Sequence, residues 1–406
     1  MKKYIFFIRD YNDWDNIAPI IYYLAKNSSS KICVCFYKTD LRNTVLFKYL
    51  SKEIGNKLEF FFWKPKKIQI IKNSLLNLFY KVLSKLNFNK TTTPSLSISE
   101  YEIKRWFEKL NIKSYNNIVV IFDRTLGSIL KKVSKNLQGL NYIFISCAHG
   151  PQTNVNRMCF TNETEIVQKK KLLSKYFEVF KYLVISDYLE LEFNDKFGSF
   201  DQSESKIDSS RLLVLGSIRF CPEWLTHVNK FTPINKNNNL SKKKVVLFMK
   251  KFSHNVFKEE VYRTLEIFKS FSDIDFYVKP HTRGMKFFSK IQSDNIHINY
   301  DETSSELINI ADAVLFYGGT SIILEALAKE KIVACIDYLD CNRNIFEYFN
   351  SCHNLRCRDD LCFFLNSVNF NKTVPISGTK LLKEVVYARD ESSSVPDRYI
   401  NFFKKL

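Results

Sequence analysis

Short apolar runs recur along this chain, and each is separated from the next by a stretch with helical spacing. "YIFFI" (4–8), "KICVCFY" (31–37), "NIVVIF" (117–122), "YIFISC" (142–147), "YLVIS" (182–186) and "LLVLGS" (212–217) form the first series. These runs are too short for helices and are apolar throughout, with no alternation. That pattern suits strands covered on both faces. Strands that alternate with helices predict a parallel sheet with helices on both sides. The series breaks at "TPINKNNNLSKKK" (232–244), which is polar, asparagine-rich and without apolar period, as a linker or exposed loop would be. It then restarts with "VVLFM", "DFYVKPH", "IHINY", "AVLFY" and "IVACID", with helices expected over about 256–270, 304–311 and 321–329.

The prediction is an α/β chain with two Rossmann-like domains facing a cleft. Residues 1–222 form the first domain, 223–243 the linker and 244–385 the second domain. The amphipathic tail over 386–406 is expected to return to the first domain as a helix. A length of 406 residues gives each domain enough chain for its own core, and 45% apolar residues exclude a disordered chain. No short repeat links the halves, so a solenoid is excluded.

The formal net charge is +19, spread along the chain. Basic proteins meet nucleic acid, anionic membrane or phosphorylated substrates. No zinc-finger spacing or RNA-binding aromatic signature is visible, so nucleic acid is not the expected partner. The segment 64–90, "KPKKIQIIKNSLLNLFYKVLSKLNFNK", is amphipathic and carries only lysines as charged residues. It would either pack on its domain or lie on an anionic membrane face. The opening "MKKYIFFIRDYND" has too short an apolar run for a signal peptide and meets Asp10 and Asp13 at once. A cytoplasmic protein is predicted, peripheral to the inner membrane if 64–90 binds lipid. The ten cysteines then read as reduced core residues. The spacing of Cys352, His353, Cys357 and Cys362 matches no standard zinc site.

In parallel α/β sheets, ligands bind beyond the carboxyl ends of the strands. In the second half those ends carry Lys250, then Lys279, His281 and Arg283, then Gly318-Gly319-Thr320-Ser321. The glycines allow close backbone approach, and a helix start offers free N–H groups to a phosphate. Glu325, further along, is within reach of a ribose diol. The same residues would also serve a plain strand-to-helix turn capped by Ser or Thr. Two basic strand-end loops in one half favour an anionic ligand. In the first half, His149 precedes Gly150-Pro151 and has the pKa range of a general base. Asp10, Asp13 and Asp123 are rival bases. No acidic pair sits where a metal would be held, so no metal and no obligatory cofactor are expected.

Taken together, the two halves, the linker, the returning tail and "ADAVLFYGGTSIILEALAKEKIVACID" resemble the GT-B superfamily of glycosyltransferases and the related UDP-GlcNAc 2-epimerases. The resemblance implies donor phosphates at 318–321 and ribose at Glu325. His149-Gly150 and Lys279-Pro280-His281 are similar to a narrower group that builds capsules, lipopolysaccharide and teichoic acids from CMP- or CDP-linked donors. Thr282 stands where that group usually has proline, and the acid of the epimerase "HxEAG" pattern is absent after His149. The resemblance implies a transferase acting on a CMP-, CDP- or UDP-linked sugar, with a glycan or lipid-linked glycan acceptor. A non-hydrolysing 2-epimerase and an inactive nucleotide- or membrane-binding scaffold are the alternatives.

Overall fold

The computed structural model describes residues 2–63, 98–123, 127–147, 150–155, 178–190, 192, 209–232, 242–250, 252, 256–281 and 293–406. The segment 64–90, His149 and Arg283 lie outside the described residues.

Strands β1 (Lys2–Ile8), β2 (Ile32–Phe36), β3 (Leu58–Phe62), β4 (Asn117–Phe122), β5 (Tyr142–Cys147), β6 (Tyr182–Ile185) and β7 (Leu212–Val214) form one parallel sheet in the order β3-β2-β1-β4-β5-β6-β7. Strands β8 (Lys243–Phe248), β9 (Ile274–Lys279), β10 (Ile296–Ile298), β11 (Ala313–Phe316), β12 (Ile332–Ile336) and β13 (His353–Leu355) form a second, in the order β10-β9-β8-β11-β12-β13. Both are the doubly wound arrangement expected from the alternating runs.

β1 shows why its run is apolar on every residue. Tyr4, Phe6 and Ile8 join a core with the helix Tyr11–Asn27. Ile5 and Phe7 join the opposite core, with Ile103, Trp106 and Phe107 of the helix Glu100–Lys109. A strand covered on both faces has no polar side to show. β3 and β13 were not evident in the sequence. β3 is an edge strand whose Glu59 pairs with the fully buried Lys3 at 2.5 Å, and β13 is only three residues long.

The stretch read as linker opens with a helix, Pro222–Phe231, started by its proline. Its Trp224 is fully buried against Tyr22 and Tyr23 of the first domain. The tail does return to the first domain. The helix Val395–Lys405 has Ser394 as N-cap, its hydroxyl accepting from the Asp397 amide at 3.2 Å. Tyr4 donates to the Phe403 carbonyl at 2.9 Å, and Tyr399 to that of Gly216 at 3.0 Å. Gly216 has φ +93, and a Cβ there would meet the Val386 carbonyl oxygen, so only glycine suits this crossing. Among the described residues no helix is long and apolar enough to cross a membrane.

Candidate functional site

The polar strand ends gather into two groups. The first lies beyond β1 and β4. Asp10 is the N-cap of Tyr11–Asn27, accepting from the amide of Asn12 at 3.1 Å. Arg9 reaches Asp10 at 3.3 Å, Asp13 at 3.5 Å and Asp123 at 3.1 Å. Asp13 and Asp123 are buried. Desolvation works against the Arg9 charge, but the three carboxylates outweigh it and hold its pKa above the usual arginine value. The three rival bases therefore surround one guanidinium, and each has it as an ionic partner.

The second group lies beyond β9, β8 and β11, which are neighbours in the second sheet. Lys250 pairs with Asp340 at 2.6 Å, and both side chains are nearly buried. Asp340 also accepts from the Asn342 amide at 2.8 Å. Gly318 has φ +66, and a Cβ there would collide with Asp340 and lie 2.6 Å from the Lys250 side chain. The Lys279 ammonium turns to the carbonyls of Tyr300, at 3.1 Å, and Glu302. Burial lowers its pKa. His281 follows at the same strand end, half-buried. Of the cations expected around a phosphate, Lys250, Lys279 and His281 stand at these strand ends, and Lys250 and Lys279 already have partners in the protein.

A loop of the first domain crosses to this corner. Residues 150–155 bridge to the second domain: Ile345 donates to the Thr153 carbonyl at 3.1 Å, and Val155 to that of Arg343 at 3.0 Å. A Cβ on Gly319 would lie 2.6 Å from the Thr153 hydroxyl and would collide with Asn154. Gly319 is bare because another chain segment packs on it, a reason the sequence did not reveal. The root of the loop is held by Asp187, which accepts from Ser186 at 2.7 Å, from the Glu190 amide at 3.0 Å and from the Gln152 amide at 3.3 Å. Burial, reinforced by Glu190, raises the Asp187 carboxyl to about 7.

Two details of the glycine corner depart from expectation. The helix begins at Ile323, with Ile322 as a cap lacking a side-chain bond, so Thr320 and Ser321 lie in the turn before it. Glu325 is fully buried. It accepts from Lys329 at 2.8 Å, from Ser305 at 2.9 Å and from Arg219 at 3.2 Å. Burial would raise its pKa, but Arg219 and Lys329 outweigh burial and lower it. In this arrangement the carboxylate expected at a ribose is taken up by protein groups. Arg219, Asp340, Asp187 and the Thr153-Asn154 pair were all missed. Each follows a strand end or its loop, and reading a few residues further past "LLVLGS" and "IVACID" would have met Arg219 and Asp340.

No protein-family model matches the chain, and no curated protein matches it. Solved structures do match. A UDP-N-acetylglucosamine 2-epimerase from Rickettsia bellii is 9% identical with a TM-score of 0.57, over 100% of this chain and 96% of that one. The UDP-GlcNAc 2-epimerase from Neisseria meningitidis bound to UDP-GlcNAc is 14% identical with a TM-score of 0.54, over the whole of both chains. Arabidopsis thaliana UGT89C1 complexed with UDP is 11% identical with a TM-score of 0.55, over 100% of this chain and 99% of that one. Identities this low are likenesses of fold. This chain has the GT-B fold, shared along its whole length with glycosyltransferases and UDP-GlcNAc 2-epimerases.

Proposed function

We propose that this protein is a glycosyltransferase that moves a sugar, or a sugar-like group, from a nucleotide-activated donor to a cell-surface polysaccharide or lipopolysaccharide acceptor. One observation carries the reading. The first-domain loop that starts at Gly150, directly after His149, reaches the bare backbone of Gly319 in the second domain. A base at the root of that loop and a phosphate at that corner would act on one reacting centre.

In this reading the donor lies on the second domain. Gly318, Gly319, Thr320 and Ser321 would offer close backbone and hydroxyl donors to its phosphates. Lys250, Lys279, His281 and Arg283 would offset the charge that grows on the leaving nucleotide. His149 would take the proton of the acceptor hydroxyl as the bond to the anomeric carbon forms. Asp10, Asp13 and Asp123 would shape the acceptor side, with Arg9 as their common cation. The donor is a CMP-, CDP- or UDP-linked sugar. The UDP and UDP-GlcNAc bound by the similar solved structures put UDP first among those to try. The domain limits, the membrane contact through 64–90 and the cytoplasmic location belong to the same reading.

A thermal-shift screen of the full chain against UDP, GDP, CDP and CMP tests it. Stabilisation by one of these is expected, and none by any would end the reading. With the bound nucleotide known, His149→Ala should retain affinity and lose transfer. Interconversion of a UDP-sugar without acceptor, followed by NMR, would replace transfer by 2-epimerisation. Binding without turnover of any donor would leave the scaffold reading.

A further inference from the structure

Arg219 lies just past the last strand of the first sheet, and its side chain is 5% exposed. Its Nε is 2.9 Å from Asp15, on the helix Tyr11–Asn27 whose N-cap borders the Arg9 group. Its Nη2 is 3.2 Å from Glu325, on the helix Ile323–Ala328 that leaves the glycine corner. Its guanidinium also lies over the Phe220 ring, 5.1 Å from the centroid. One cation thus grips the helix behind each side of the cleft. Glu325 has Lys329 on one oxygen and Arg219 with Ser305 on the other, and no exposure. Three acceptor positions of this carboxylate are taken and none of its surface is exposed, so a ribose diol could reach it only if the packing around it opened.

We propose that Arg219 is a positioning residue that sets the spacing of the two domains through Asp15 and Glu325, and that Glu325 serves this strut and not a donor ribose. The consequence for transfer rests on the function proposed above, whereas the strut itself does not.

Hydrogen–deuterium exchange on the free full-length chain tests the strut. Arg219→Met should speed exchange about tenfold in both Tyr11–Asn27 and Ile323–Ala328, more than elsewhere in either domain, and Arg219→Lys should restore much of the protection. A uniform rise across one domain, or a rise in one helix alone, would overturn it. If Arg219→Met does not fold, Glu325→Gln is measured in the same way, with the same two helices expected to respond and Arg219→Lys expected to stay near the wild type. Calorimetry with UDP and 2′-deoxy-UDP, or the matching pair for whichever nucleotide the screen selects, tests the role of Glu325. Glu325→Gln should leave the ratio of the two affinities within about twofold of the wild-type ratio. Loss of about tenfold for the ribonucleotide alone would make Glu325 a ribose ligand and overturn the assignment. If the wild-type chain binds no nucleotide, the transferase reading falls and the exchange measurement decides the strut alone.

Discussion

The two halves of this molecule repeat one topology and end in opposite chemistry. Counted within each sheet, the strand order is the same three-strand wing followed by strands added outward. Beyond β1 and β4, the first half presents three carboxylates around a single arginine. Beyond β9, β8 and β11, the second half presents two lysines and two adjacent glycines. A doubly wound sheet fixes where a site sits, and the residues just past each strand fix what it can bind. In the function proposed above, the second half would take the anionic donor and the first the hydroxyl-bearing acceptor.

The largest expected effect removes the tie between the halves. Arg219→Met would leave Asp15 and Glu325 without their shared cation and should cost about 3–5 kcal/mol in urea unfolding. A loss below about 1 kcal/mol would mean that the apolar cluster running from β1 to β8 and β11 joins the halves by itself.

Next comes Asp187, which holds the crossing loop. Its carboxyl titrates near 7 in the fold against an ordinary 3.8, so the folded state binds this proton more tightly than the unfolded chain. The stability it contributes is complete below the unfolded value and is lost as pH rises through about 7. Asp187→Asn imitates the protonated form. From pH 5 to pH 8 the wild-type chain should therefore lose up to about 3 kcal/mol relative to the variant, followed by chemical denaturation at each pH. Parallel pH profiles for the two proteins would refute this.

The donor side is tested by its lysines. Lys250→Met or Lys279→Met should weaken nucleotide binding about tenfold in calorimetry, near 1.4 kcal/mol. Unchanged affinity in both would move the anion site away from this corner and break the contrast between the halves. The smallest effect concerns the returning helix. Tyr4→Phe removes the bond to the Phe403 carbonyl and should cost about 1 kcal/mol of stability.

Most strands were legible because a strand covered on both faces carries an unbroken apolar run, as Tyr4–Ile8 of β1, Ile118–Phe122 of β4 and Val245–Phe248 of β8 do. β3 escaped because Glu59 interrupts its apolar run, and β13 because only Leu355 of its three residues is apolar. The site was legible as a set of strand ends and not as a set of contacts. The sequence placed Gly318 and Gly319 at a strand end, but gave no sign that Thr153 and Asn154 pack on the second glycine. It placed Lys250 at a strand end too, but not beside Asp340, 90 residues away.

By itself, then, the sequence determined what depends on neighbours along the chain: two parallel α/β halves, their polar corners and an amphipathic tail bound to cover apolar surface. Periodicity and turn chemistry are local, so they can be read locally. Tertiary structure alone decided the partners of charge. Glu325 follows its glycines as a ribose-binding acid would, yet a guanidinium 106 residues away takes it. A buried charge must find its counter-charge wherever folding brings one, and sequence distance carries no record of that pairing.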